Sequence, residues 1–212
     1  MRWQDIPGWT CPRITELYDE MAKELKPGAV AVECGVAYGK SLAYLAGVLD
    51  PGVDILAIDI WHTFQGRTTM GAALRAMLRE RRMDGYRMPR EIAEWFVGEA
   101  LPMHEDDGGF PLFDRIEWIQ ARSEDVPQYL DFETDFVFLD DHHEEPSVRR
   151  EIEAWVPKLK RGGVIAGHDI NANYPGVERA VRGMFGPAWK LEVRPPAPGE
   201  NGWGGVWKAR KP

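Results

Sequence analysis

Short apolar runs alternate with helical patterns along this chain, and that alternation restricts the fold more than any other feature. The runs span residues 29–33, 55–59, 116–120, 136–140, 164–168, 191–194 and 206–208. Most of the first five are β-rich and nearly continuous in hydrophobicity, the mark of strands covered on both faces. Helical patterns fall between them. Ile14, Leu17, Tyr18, Met21 and Leu25 share one face, and Pro27-Gly28 stops that helix. Leu42, Leu45 and Leu49 mark the next. Val148, Ile152, Trp155, Val156 and Leu159 form another stripe, followed by Gly162-Gly163. Alternation of this kind predicts a parallel sheet with helices on both faces. The last two runs are joined through Pro195-Pro196 and Gly204-Gly205 with no room for a helix, so they should pair as an antiparallel hairpin. The expected fold is α/β: a seven-stranded, doubly wound, mostly parallel sheet whose last strand is antiparallel.

A length of 212 residues, with 44% hydrophobic and 28% charged, suits one domain over 1–212 and excludes wholesale disorder. One connection is too long for a simple crossover. Two amphipathic segments, near 70–82 and 90–101, are separated by a turn at Met83-Asp84-Gly85. We read a helical insertion at about 62–114, serving as a lid or as a contact in a homo-oligomer. Arg75, Arg79, Arg81, Arg82, Arg87 and Arg90 crowd this stretch against Glu80 and Asp84. They form either a solvated helix face or a patch that selects an anionic or polyhydroxylated acceptor, with Leu74, Met77 and Leu78 anchoring it. The net charge of −8 argues against a nucleic-acid partner. No apolar run reaches ~18 residues, so no membrane span is expected. Two cysteines, Cys11 and Cys34, and an N-terminus without an apolar leader lead to the expectation of a reduced, cytoplasmic protein.

The loop after the first strand reads Val32-Glu33-Cys34-Gly35-Val36-Ala37-Tyr38-Gly39-Lys40-Ser41. Gly35 and Gly39 allow a sharp turn and close approach of a ligand to the main chain. The helix start at Lys40-Ser41 favours an anionic or electron-rich group. The spacing is not the dinucleotide fingerprint, because Ala37 and Lys40 stand at its second and third glycines. Strand two ends in Asp59, with Trp61 close behind; an acid there can take both hydroxyls of a ribose, or act as a cap. Ser123, after strand three, is either a helix N-cap or a contact to an adenine edge.

The least ordinary segment is Phe138-Leu139-Asp140-Asp141-His142-His143-Glu144-Glu145, an apolar strand emptying into acids and histidines. Strand five ends similarly, in Gly167-His168-Asp169. Asp140, His168 and Asp169 should therefore converge from neighbouring strand ends, where open α/β sheets bind ligands. Carboxylates with an imidazole suit a divalent cation such as Mg²⁺ or Mn²⁺; a hydrogen-bonded pair without metal is the alternative.

From strand four through Trp155-Val156-Pro157-Lys158-Leu159-Lys160-Arg161-Gly162-Gly163 into Val164-Ile165-Ala166-Gly167-His168-Asp169, the chain resembles class I S-adenosylmethionine-dependent methyltransferases. More narrowly, it is similar to the small group whose strand four ends in an Asp followed three residues later by His, and whose strand five ends in Gly-His-Asp. Pro175-Gly176-Val177-Glu178-Arg179-Ala180-Val181 fits the same group. The resemblance implies Glu33, Gly35 and Gly39 around the methionine end of the cofactor, with Ser41 and Trp61 nearby. It implies Asp59 on the ribose and Ser123 near the adenine. In members similar to catechol O-methyltransferase the strand-four and strand-five acids hold a cation, and those positions are Asp140, His168 and Asp169. It also implies His143 as general base, at the position of a catalytic lysine in those enzymes, with His142 a weaker candidate that reaches toward the metal. The expected activity is metal-assisted methyl transfer to a hydroxyl of a small molecule. N-methyl transfer, a nicotinamide-dependent oxidoreductase and a non-catalytic binding subunit are the competing readings.

Overall fold

The computed structural model describes residues 1–61, 89–101, 112–199 and 204–212. Seven strands form one sheet among them: β1 Val30–Cys34, β2 Asp54–Asp59, β3 Ile116–Gln120, β4 Thr134–Leu139, β5 Leu159–Gly167, β6 Glu192–Arg194 and β7 Val206–Arg210. Their order is β3-β2-β1-β4-β5-β7-β6. The first five are parallel, while β7 runs antiparallel to both β5 and β6. The chain thus has the Rossmann-like, mostly parallel fold that its apolar runs predict, and the strand order reverses between β1 and β4.

Side chains alternate between the two faces, as the strand period requires. Ala31, Phe136, Phe138, Val164 and Ala166 pack on one side with Ile14 and Leu17 of helix α1 (Pro12–Glu24) and Leu42 and Leu45 of α2 (Lys40–Val48). Val32, Cys34, Val137, Leu139 and Ile165 pack on the other with Ile152 and Trp155 of α4 (Glu145–Trp155) and Val177 and Val181 of α5 (Pro175–Met184). Both faces of the central strands are covered, which explains why their sequences read as nearly continuous apolar runs.

Within the expected insertion, helix α3 (Pro89–Ala100) is part of the core. Ile92, Ala93, Phe96 and Val97 are buried, and the helix packs on α2. Arg90 pairs with Glu94 one turn on, at 2.6 Å. Residues 62–88 and 102–111, among them Arg75, Arg79, Arg81, Arg82, Arg87, Leu74, Met77 and Leu78, lie outside the described residues. No helix among the described residues is long and apolar enough to cross a membrane.

One boundary differs from expectation. The apolar stripe of α4 continues to Leu159, but the helix stops at Trp155, because Pro157 offers no N–H and a 3-10 turn (Val156–Lys158) takes over. Gly162 and Gly163 then lie inside β5. They are held there by the C-terminal segment: the Gly162 N–H bonds the Lys211 carbonyl, and the Lys211 N–H bonds that of Gly163.

Pairing also continues past the ends of the central strands. The Asp140 N–H bonds the Cys34 carbonyl at 2.9 Å, and the His168 N–H bonds that of Leu139 at 3.1 Å. Asp140 and His168 are therefore fixed in register at the carboxyl edge, beside the point where strand order reverses.

Candidate active site

The β1–α2 loop is shaped by its neighbours. Gly35 has φ +87°, and a Cβ there would lie 2.3 Å from the Asp140 carbonyl oxygen. Gly39 has φ +81°, and its Cβ would meet Val97 of α3 at 2.4 Å. Both positions thus combine a left-handed backbone with a close approach, so only glycine fits. Glu33 and Ser41 lie beneath the loop. The Tyr18 hydroxyl donates to one Glu33 carboxyl oxygen at 2.9 Å and the Ser41 hydroxyl to the other at 2.7 Å. Glu33 is fully buried and ties α1 and α2 to β1.

Burial pushes the Glu33 carboxyl up to about 8. Its folded value exceeds its unfolded one, so its contribution to stability is complete below about 4.5 and is lost as pH rises through about 8. The neutral Glu33→Gln variant should therefore lose less melting temperature between pH 6 and pH 9 than the parent. The expected gain is roughly 2–4 °C for each kcal/mol of ionisation cost removed. Calorimetric melts at the two pH values check it; an unchanged difference would place the pH sensitivity elsewhere.

Asp59 is pinned at the end of β2. The Ala37 N–H donates to its Oδ2 at 2.8 Å and the Trp61 N–H to its Oδ1 at 2.7 Å. The Trp61 indole N–H closes the turn onto the Ala37 carbonyl at 3.0 Å. Ala37 and Trp61 both have positive φ, +49° and +39°, strain that is held only because these bonds over-determine the turn. Each Asp59 oxygen keeps a further acceptor direction.

Ser123 is not an N-cap. It lies inside the 3-10 turn Ser123–Asp125, and its hydroxyl contacts Asp141 Oδ2 at 2.8 Å and Glu151 Oε1 of α4. The sequence reading missed Glu151. The signal was present, since a carboxylate sits in the buried stripe Val148, Ile152, Trp155. His142 also differs from expectation: it faces Glu124 and Asp141, at 3.6 and 3.7 Å, rather than the Asp140 cluster.

Asp140, His168 and Asp169 come together. His168 Nδ1 lies 3.2 Å from Asp140 Oδ1 and 3.4 Å from Asp169 Oδ1. One donor atom from each residue falls within 4.8 Å of the others. Adjacent ligands of a six-coordinate Mg²⁺ lie about 3 Å apart, given bonds of about 2.1 Å, and the two histidine–carboxylate spacings are close to that. Asp169 adopts φ +61°, a left-handed backbone just past the end of β5. Its carboxyl is held down to about 2 by His143 and His168 against the cost of burial. Burial raises Asp140, opposed by His168.

His143 joins the cluster through Nε2, 2.7 Å from Asp169 Oδ2. That bond raises its pKa against burial. Tyr174 packs against its ring, centroids 4.1 Å apart. On the far side, Cys11 Sγ lies 3.5 Å from His168 Nε2. Neither Cys11 nor Tyr174 was singled out by sequence, because both contacts are made across the fold.

Residues 32–170, more than half of the chain, match a family described as a methyltransferase domain. The chain belongs to this family. A sequence search of curated proteins gives no match. Among solved structures, this methyltransferase resembles cofactor-bound Rv0187 from MTB, with a TM-score of 0.65 and 17% identity over 97% of this chain and 83% of that one. It also resembles the O-methyltransferase TomG from Streptomyces achromogenes, solved with S-adenosylmethionine, with a TM-score of 0.64 and 18% identity over 96% and 81%. A third is an rRNA methylase from Streptococcus thermophilus, with a TM-score of 0.59 and 15% identity over 96% and 99%. At these identities the likeness is one of fold.

Proposed function

We propose that this methyltransferase uses S-adenosylmethionine to methylate a hydroxyl of a small molecule, assisted by a divalent cation. The observation that carries the reading is the pairing of two features at one sheet edge. Asp59 is held rigidly by two backbone amides, and the Asp140–His168–Asp169 cluster adjoins His143. The first suits a ribose, whose hydroxyls donate to carboxylate oxygens. The second suits a hard cation beside a base. Likeness in fold to TomG supports the oxygen acceptor. Likeness to an rRNA methylase would favour a nucleic acid, but a net charge of −8 opposes that partner.

In this reading Gly35 and Gly39 shape the turn under the methionine end, and Glu33 with Ser41 holds that turn on the sheet. Asp59 accepts from the ribose, Trp61 backs it, and Ser123 borders the adenine. Asp140, His168 and Asp169 would hold Mg²⁺ or Mn²⁺. When bound, the cofactor supplies an electrophilic sulfonium methyl, and the cation lowers the pKa of the acceptor hydroxyl. His143 takes the hydroxyl proton. Its Nε2 is engaged by Asp169, so Nδ1 is the accepting atom. The carboxylate fixes the ring and favours the imidazolium that forms. Tyr174 restrains the ring's rotation.

Calorimetric titration of S-adenosylhomocysteine tests the cofactor site. Asp59→Ala should weaken binding by roughly 1–3 kcal/mol, about 5- to 150-fold, through lost charge-assisted bonds. Unchanged affinity would remove Asp59 from the site.

A further inference from the structure

Glu151 is 1% exposed, yet it lies in the stripe of α4 that packs on the sheet. Taking a carboxyl group out of water costs several kcal/mol unless hydrogen bonds offset it. The bonds it makes are specific. Glu151 reaches Ser123, which also bonds Asp141 at 2.8 Å. Ser123 follows β3 and Asp141 follows Asp140 beyond β4, so Glu151 joins two strand ends from below. A serine hydroxyl has one proton to share between two carboxyl groups. Burial and the nearby Asp141 push Glu151 well up, so it keeps its own proton and the three groups close without repulsion.

The cluster is short of donors. Asp141 Oδ1 and Glu124 Oε2 are buried without a hydrogen-bond partner among the described residues. His142 comes only to 3.6 Å from the latter. The Asp141 side chain beside these atoms keeps 22% of its surface exposed, and a carboxyl edge of this kind matches a ligand that brings N–H donors. Adenine offers a 6-amino group. A 6-oxo purine presents an acceptor at that position, which such an edge repels.

We propose that Glu151 is a positioning residue of the cofactor's base pocket, fixing Ser123 and Asp141 so that their edge takes a 6-amino purine and rejects a 6-oxo purine. This rests on the S-adenosylmethionine reading above. Glu151 touches no ligand; it acts through Ser123 and Asp141.

The test titrates S-adenosylhomocysteine and S-inosylhomocysteine against the parent, Glu151→Gln and Glu151→Met, with thermal melting of each. The parent should prefer the adenosyl compound by at least roughly 100-fold. Glu151→Gln, which keeps the hydrogen bonds, should retain most of that preference. Glu151→Met should melt at or above the parent, since an apolar side chain of similar volume replaces a buried acid. Its preference should fall at least roughly tenfold. Should Glu151→Met fail to fold, Glu151→Asp must show the same loss, because it draws the carboxyl back by one methylene. A folded Glu151→Met or Glu151→Asp that keeps the parent's preference overturns the positioning role and leaves the cofactor reading intact. A parent that binds neither compound overturns both.

Discussion

His143→Ala lowers turnover by roughly 10²-fold or more while the affinity for S-adenosylhomocysteine stays that of the parent. His143 leaves the end of β4 three residues after Asp140 and turns back so that Nε2 meets Asp169 at 2.7 Å. It is partly exposed at the mouth of the cluster, with Tyr174 against its ring. Its removal takes away a proton acceptor but none of the groups around Asp59. The loss therefore falls on kcat. The acid limb of the pH–rate profile should vanish with it, since that limb reports protonation of the base. Steady-state kinetics across pH, paired with calorimetric binding, checks both parts. A variant with near-normal turnover and the same acid limb would move the base to another group.

Removing divalent metal should lower activity by roughly 10²- to 10³-fold, and Mg²⁺ or Mn²⁺ should restore it. An alcohol or phenol holds its proton too tightly for an imidazole alone to remove it quickly at neutral pH. Charge stabilisation worth several kcal/mol must come from the site. Two carboxylates and an imidazole with donor atoms 3.2 and 3.4 Å apart can hold that charge. Dialysis against a chelator, elemental analysis and re-addition of single metals make the test. Full activity in protein shown to be metal-free would remove the cation from the account and leave His143 to act unaided.

The centre of the sheet was legible because β1, β2, β4 and the second half of β5 are apolar and buried on both faces. Residues 116–120 read correctly to the residue. The start of β5 did not, since Gly162-Gly163 resembles a stop signal until Lys211 arrives to pair with it. The meeting of Asp140, His168 and Asp169 could be foreseen, because adjacent parallel strands deliver their ends to one place. Ser123 was harder. Local spacing suggests a cap, whereas its partners are Asp141, beyond the end of β4, and Glu151 of α4. The contact of Cys11 with His168 spans 157 residues, and no local pattern announces such a pair. The glycines of the first loop signalled a sharp turn. That Gly35 must also clear the carbonyl of Asp140 depends on how β1 and β4 are packed.

The central claim is methyl transfer to oxygen on a small molecule, and one measurement bears on it most directly. The protein is incubated with S-adenosylmethionine carrying an isotopically labelled methyl group, Mg²⁺ or Mn²⁺, and a metabolite extract from which nucleic acid has not been removed. Labelled products are then isolated and the methylated atom is identified by mass spectrometry and NMR. The account predicts label on the oxygen of a low-molecular-weight product, lost in the His143→Ala variant. Label on nitrogen, label in RNA, or no transfer under any metal condition would contradict it.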